Sequence, residues 1–315
     1  MDVLSDVIAG MRIGRPHSMR VTWQAPWGQR FAVMPGSAGF QVILQGSCWL
    51  IPDVGEPVQL HVGDVLFFPH GHGYALADSP STPIPDWVCE PGDDIELFAS
   101  ASAGGSGAVT ATLCGGYRLD RANGHPILRE LPETIHLPAR LGERRELRAA
   151  VDLLAAEIAN PGLGADTVVA SLLDTLLLYI LRAYLDLESE YCEAGGWAAA
   201  LADPGISAAL EAVHRDPAHP WTVASLAGLA GLSRAAFARR FAALVGQPPL
   251  GYLTWWRLNL ASRLLRSTDA PLSEVARRVG YGSEFAFANA FKRAFGTPPG
   301  RFRREACPLA PALAR

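Results

Sequence analysis

The last 110 residues of the chain repeat themselves. Phe237 and Phe287 stand 50 residues apart, as do Phe241 and Phe291, Gly246 and Gly296, and the pairs Pro248-Pro249 and Pro298-Pro299. Upstream, Leu226-Ala227 matches Val275-Ala276 and Gly231 matches Gly280, at a spacing of 49. Such a repeat restricts the fold to two copies of one small unit, each needing a neighbour to bury its apolar face. Each copy has the grammar of a helix-turn-helix. A first helix carries a small residue, Ala227 or Ala276, where two helices must approach closely. Gly231 or Gly280 supplies the positive φ of the turn. Ser233 or Ser283 caps a second helix whose two phenylalanines, one turn apart, share a buried face. Between the copies lies a helix of sixteen residues, Tyr252 to about Ser267, which spans about 24 Å. That length suits two helices set into successive major-groove faces about 34 Å apart.

Charge points the same way. Residues 205–315 hold 15 basic and 6 acidic side chains, a net of +9, while residues 1–204 hold 12 and 25, a net of −13. A basic helical domain on an acidic body suggests that the basic part meets a polyanion. With 49% hydrophobic residues, the chain is no disordered polymer. Its five cysteines are too sparse for a disulfide scaffold. The acidic start MDVLSDVIAGMRIGRPH does not read as a signal peptide. Val168 to Leu185, broken by Ser171, Asp174, Thr175 and Arg182, does not read as a membrane span. A cytoplasmic protein without a membrane partner is expected.

Residues 20–116 read as short strands and turns. Phe40–Leu44 and Cys48–Ile51 flank a Gln45-Gly46 turn suggestive of a hairpin, and Val58–Val62 and Val65–Phe68 follow. Ser100–Gly107 (SASAGGSG) reads as a low-complexity loop. Beyond Pro138 the period becomes helical. Glu143–Asn160 and Thr167–Leu187 predict an antiparallel helical pair on the β domain. The second helix has apolar residues on more than one face, including Leu176 and Leu177, which predicts a homodimer through residues 143–187. The expected fold is α+β, an N-terminal β-barrel with two helices followed by an all-α domain. Its divisions are a sensory domain at 1–138, the helical pair at 139–187, a linker at 188–205, the double helix-turn-helix at 206–305 and a tail at 306–315.

The runs WTVASLAGLAGLSRAAFARRFAALVGQPPLGYLTWWRL and APLSEVARRVGYGSEFAFANAFKRAFGTPPGRFRR closely resemble the double helix-turn-helix of AraC/XylS transcription regulators. MDVLSDVIAGMRI, APWGQRFAVMPGSAGFQVILQGSCWL, VGDVLFFPHG and LCGGYRL resemble the cupin-type sensory domain of one branch of that family. The resemblance implies a sequence-specific regulator and no enzyme. It implies activation of transcription more than repression, with double-stranded DNA, a second copy of the chain, RNA polymerase and a small-molecule effector as partners. Carried over by position, Ala235, Ala238 and Arg239 would face bases in the first unit. Glu284, Phe285, Ala288 and Asn289 would do so in the second. Arg239 suits guanine and Asn289 adenine, which stands where many relatives have arginine. Phe285 either contacts a thymine methyl or packs. Arg240, Arg278, Lys292 and Arg293 read as phosphate contacts, and Arg257 as structural.

For the sensory half, the resemblance places metal-binding histidines of related cupins at two positions that hold Gln41 and Tyr74 here. His61, His70 and His72 remain as weak metal candidates, and no cofactor is expected. An effector pocket inside the barrel has Trp23, Trp27, Phe40, Gln41, Trp49, Phe67 and Tyr74 as candidate lining, an aromatic set that equally suits plain core. Redox sensing through Cys48, Cys89 and Cys114 is the alternative, and a metal-dependent cupin enzyme a further one.

Overall fold

Strand length and punctuation set the architecture of the first half. In a computed structural model of the chain, residues 3–11, 16–86, 88–89, 97–118, 125–139, 144–191 and 196–306 are described. The chain divides into two units, one of residues 11–190 and one of residues 1–10 with 191–315. The first helix, α1 (Val3–Met11), precedes the strands of the first unit. These are β1 (His17–Gln24), β2 (Gly28–Phe31), β3 (Ser37–Gln45), β4 (Ser47–Ile51), β5 (Val58–His61), β6 (Val65–Phe68) and β7 (Tyr74–Ala77), then β8 (Val88–Cys89), β9 (Phe98–Gly104) and β10 (Val109–Arg118). A short helix α2 (Pro126–Glu130), strand β11 (Ile135–Leu137) and helices α3 (Arg145–Ala159) and α4 (Ala165–Tyr191) complete it.

The strands form two mixed sheets, ordered β11-β6-β3-β10-β1-β9 and β5-β4-β7-β2-β8. They do not close into one ladder, so the expected barrel is a two-sheet sandwich of cupin type. Side chains alternate across a strand, and the register decides what faces inward. Gln41 pairs with Cys114 and Leu66, so these share a face with Ile43, Val21 and Trp23. That face joins Cys48, Leu60 and Leu76 of the second sheet in a core between the sheets. The other face carries Phe40, Val42, Phe67 and Tyr117, all buried. There the Tyr117 hydroxyl donates to the Leu173 carbonyl of α4 at 2.6 Å.

Two expectations for this unit fail for reasons of pairing. Gly46 (φ +73°) is no hairpin turn. β3 and β4 belong to different sheets, and a Cβ at Gly46 would collide with the backbone of Val109 and Thr110. The low-complexity segment is a loop only at residues 105–107: up to Gly104 it belongs to β9, which runs parallel to β1 from Ser18↔Phe98 to Gln24↔Gly104. Its small residues hold a strand because the ladder with β1, rather than their own propensity, orders them. One apolar face of α4 is satisfied within the chain, since Val169, Leu173, Leu176, Leu177, Ile180 and Leu181 are all buried, while Val168 stays exposed and Leu172 and Leu178 are half-buried. This removes the premise on which Leu176 and Leu177 were expected to form a dimer surface. By length and mean hydropathy (1.7) Ala165–Leu187 could cross a membrane. One buried face and a bond from Tyr117 instead pack it on the six-stranded sheet.

The second unit contains α1 with α5 (Gly196–Ala202), α6 (Pro204–Arg215), α7 (Val223–Leu229), α8 (Arg234–Val245), α9 (Pro249–Ser267), α10 (Leu272–Arg278), α11 (Glu284–Phe295) and α12 (Pro299–Ala306). The expected linker therefore contains a helix, α5, whose Trp197 and Ala200 are buried. Asp203-Pro204-Gly205, read as the end of the linker, is a helix start. Asp203 Oδ1 accepts from the amides of Gly205 (3.0 Å) and Ile206 (2.9 Å), and Pro204 occupies the first turn. The expected tail, beyond Ala306, lies outside the described residues.

Gly115 carries a testable packing constraint in the first unit. A Cβ there would lie 2.7 Å from the Phe40 ring and collide with the His17 carbonyl. Gly115→Ala should destabilise that unit by about 1–3 kcal/mol. Gly228→Ala, in a helix with nothing within 4 Å of the new Cβ, should raise stability by about 0.5–1 kcal/mol. Thermal denaturation of the two variants checks the opposite signs.

Candidate functional site

The two helix-turn-helix units are built alike from the backbone up. Ser233 Oγ accepts from the Ala236 amide at 3.3 Å, and Ser283 Oγ from the Ala286 amide at 3.1 Å. Gly231 and Gly280 turn the chain at φ +66° and +80°. Gly246 and Gly296 end α8 and α11 in the left-handed region. Phe237, Phe241, Phe287 and Phe291 are buried. These contacts use one face of each second helix and leave the other to solvent. On α8 the outer face shows Ala235 and Arg239, with Ala238 half-buried beside them. On α11 it shows Glu284, Phe285 and Asn289, with Ala288 half-buried. The candidate base readers thus gather on two surfaces of matched construction. Arg234, exposed at the first position of α8, was not singled out from sequence. Its offset of 50 from Glu284 is the signal that would have found it.

Helix α9 joins the copies. It has 19 residues and begins three residues earlier than expected because Pro249 fits its first position. Arg257, near its middle, donates through Nε to the Pro217 carbonyl (2.7 Å) and through Nη2 to the His219 carbonyl (2.8 Å), ahead of α7. The same guanidinium lies against the Gly280 turn, where a Cβ would sit 2.7 Å from it. Burial lowers the Arg257 pKa from its ordinary value. Arg257 therefore ties the first helix-turn-helix to the second.

The candidate phosphate contacts differ in freedom. Lys292 and Arg293 are exposed. Arg278 and Arg277 both bind Glu274, at 2.7 Å from Arg278 Nε, and hold that carboxyl down to about 2. Arg240 forms an ion pair with Asp203, the cap of α6. Sequence reasoning missed this pairing, since 37 residues separate the partners. It also missed a buried chain in this unit. Asp6 Oδ2 lies 3.1 Å from His214 Nδ1, and His214 Nε2 lies 2.6 Å from the Tyr252 hydroxyl. The His214 ring stacks on Trp256 at 4.1 Å.

In the unit of residues 11–190 the register sorts the proposed lining. Trp23 and Trp27 stack at 4.6 Å in the core between the sheets. Tyr74 stacks on Phe68 (3.9 Å) and Phe31 (4.6 Å). Gln41 Nε2 donates to the Tyr74 hydroxyl at 3.0 Å, across from one sheet to the other. The two positions that hold histidines in metal cupins are therefore neighbours, filled here by a neutral hydrogen-bonded pair. Phe40 and Phe67 lie on the opposite face of their sheet, toward α4. Trp49 alternates with Cys48 and Leu50, which pack into the core, so it points outward. These three do not line an interior pocket.

The weak metal candidates are separately engaged or exposed. His70 Nε2 is 2.8 Å from the Leu131 carbonyl and His72 Nε2 3.1 Å from Thr134 Oγ1, while His61 is exposed. Among the described residues no three His, Cys, Asp or Glu side chains converge on a metal site. Cys48 is a buried thiol; burial, with a smaller push from the Asp64 carboxylate, raises it to about 12. Cys114 Sγ, half-buried, donates to the Met19 carbonyl at 3.5 Å. Cys89 lies in β8, and its side chain is outside the described residues.

Comparison with known proteins matches a cupin family model to residues 2–186 and a helix-turn-helix domain model to residues 226–305. The chain is 35% identical to a protein of Streptomyces lividans named as an AraC-like transcription regulator, over 97% of this chain and 99% of that one. It is 34% identical to a protein of the same name from Streptomyces antibioticus, over 98% and 100%. It is 29% identical to the "RCS-specific HTH-type transcriptional activator RclR" of Escherichia coli K12, over 92% and 91%.

The state of Cys48 yields a prediction. With a thiol raised from its ordinary 9.0 to about 12, iodoacetamide at pH 8 should leave Cys48 unmodified in the native protein and modify it after unfolding. Peptide mass spectrometry reads this directly. The raised value also sets a sign: the stability held by keeping the thiol neutral is full below about pH 9 and is lost as pH rises toward 12. A Cys48→Ala variant should lose less stability across that window in chemical denaturation.

Proposed function

The chain belongs to the AraC-type transcription regulators with an N-terminal cupin domain, DNA-binding proteins rather than enzymes. On that premise we propose that it activates transcription by reading one DNA site with α8 and α11, under control of a small molecule bound between its two sheets. The observation that carries the DNA reading is the pair of matched helices with Arg239 and Asn289 exposed. No ion pair ties Arg239 or Lys292 among the described residues. At about 1.5 Å per residue, α9 spans about 28 Å, in keeping with reading helices one groove turn apart on one face of the duplex. Activation requires a contact with RNA polymerase, and one relative is itself named a transcriptional activator. A DNA reader works where the chromosome is, in the cytoplasm.

Two buried polar atoms support the effector reading. Gln41 Oε1 and Trp27 Nε1 have no hydrogen-bond partner among the described residues. An unsatisfied buried acceptor and donor cost about 1–3 kcal/mol each. A small uncharged ligand with a donor, an acceptor and an apolar body would satisfy both between Trp23, Trp27 and Tyr74. By binding one arrangement of the chain better than another, it would shift the population that reads DNA. The thiol reading has one relative's name in its favour, RCS-specific, and the burial of Cys48 against it. Self-association is proposed through exposed apolar residues of α3, α4 and the segment between them, Leu153 (60%), Leu163 and Val168.

Selection of bound sequences from a random DNA pool tests the function, because only a sequence reader keeps one site over excess random DNA. Arg239→Ala should weaken that site by about 1–3 kcal/mol and relax preference at one base position. Lys292→Ala should weaken all sequences alike and reduce the salt dependence. Equal loss of cognate and random DNA in Arg239→Ala would remove it as a base reader. For assembly, light scattering of a Leu153→Glu/Leu163→Glu variant should show a monomer; a folded variant that remains dimeric places the interface elsewhere.

A further inference from the structure

We infer that Phe285 reads the methyl group of a thymine, so that the two half-sites differ in kind: guanine beneath α8 and an A·T step beneath α11. The inference rests on the DNA reading proposed above and adds what the second helix recognises. In the 50-residue register Ala235 corresponds to Phe285 and Arg239 to Asn289. The two helices share their serine cap, their left-handed glycine end and their buried phenylalanine pair. Their difference is therefore concentrated on the outer face.

Phe285 is 78% exposed. The other phenylalanines of this helix, Phe287, Phe291 and Phe295, contact one another or Phe302 on the inner side, and Phe285 is in none of those ring pairs. An aromatic ring left in water gains nothing for the fold. The apolar group that a base offers in the major groove is the C5 methyl of thymine. Asn289 stands one turn further on, with its Cβ about 5–6 Å from that of Phe285 along the same face. Its paired donor and acceptor match N7 and N6 of adenine. At the equivalent position α8 presents Arg239, whose fork matches O6 and N7 of guanine. A site read in this way repeats in geometry and not in sequence, which gives the bound chain one direction on the duplex.

The test replaces each thymine of the selected site, one at a time, by uracil, which removes only the methyl group. In the half-site facing α11, one replacement should weaken the wild type about fourfold, the effect expected for one buried methyl. Phe285→Ala should bind the thymine site about that much more weakly or worse, and should bind thymine and uracil sites equally. Phe285→Leu should keep part of the methyl preference. The position is exposed, so both variants should keep the wild-type circular dichroism. A wild type indifferent to every replacement, or a Phe285→Ala variant that stays methyl-sensitive, overturns the assignment while leaving the DNA reading intact. A pool that yields no preferred sequence overturns both.

Discussion

Helix α9 packs against phenylalanines of both helix-turn-helices. Tyr252, Leu253 and Trp256 lie in its first half, with the Tyr252 ring 6.0 Å from that of Phe241. Leu258, Ala261 and Leu265 lie in its second half and join Val275, Ala276, Phe287 and Phe291 in one core. A helix is the element that can present two apolar faces at a fixed axial distance, since its internal hydrogen bonds are complete without a partner. Arg257, at the changeover, holds the chain before α7 and lies against the turn before α11. The separation of the reading helices is thus a property of one rigid element. Their serine caps and glycine ends then decide how much of each outer face meets solvent.

The cupin unit solves a different problem, because its six-stranded sheet must be apolar on both sides. One side meets the second sheet and the other meets α4. Glycine at 115 makes room for Phe40 on the α4 side. On the inner side aromatic rings stand among aliphatic side chains, with few polar groups between them. Trp23 Nε1 donates to Thr112 Oγ1 at 2.9 Å and Gln41 to Tyr74. That chemistry suits a neutral guest held by one or two hydrogen bonds. A Gln–Tyr pair in place of two imidazoles offers a divalent transition metal poor ligands.

Local rules carried the helical half far. Caps, turn glycines and the spacing of the phenylalanines depend on residues within one or two turns, and each element from Val223 to Phe295 begins and ends close to where those residues predict. The candidate base readers, carried over by position from the family resemblance, lie on the outer faces, with Ala238 and Ala288 half-buried. Partners distant in sequence were not legible in the same way. Arg240 read as a cation free for phosphate, whereas it meets Asp203, and His214 gave no sign of lying between Asp6 and Tyr252.

In the β half the division is sharper. By itself the sequence determined that residues 20–116 form short strands, that two helices follow, and which residue types could sense a ligand. The ladders established that Gly46 passes the chain between sheets, that residues 100–104 belong to an edge strand, and that Gln41 and Tyr74 meet while Phe40, Trp49 and Phe67 face away. The reason is the two-residue period of a strand: a shift of one position moves a side chain to the other face, and which strand it then meets depends on a ladder whose other half lies tens of residues away. A helix closes its hydrogen bonds with residues four apart, so its faces are written in the local sequence. A strand closes them with a partner that the local sequence does not contain.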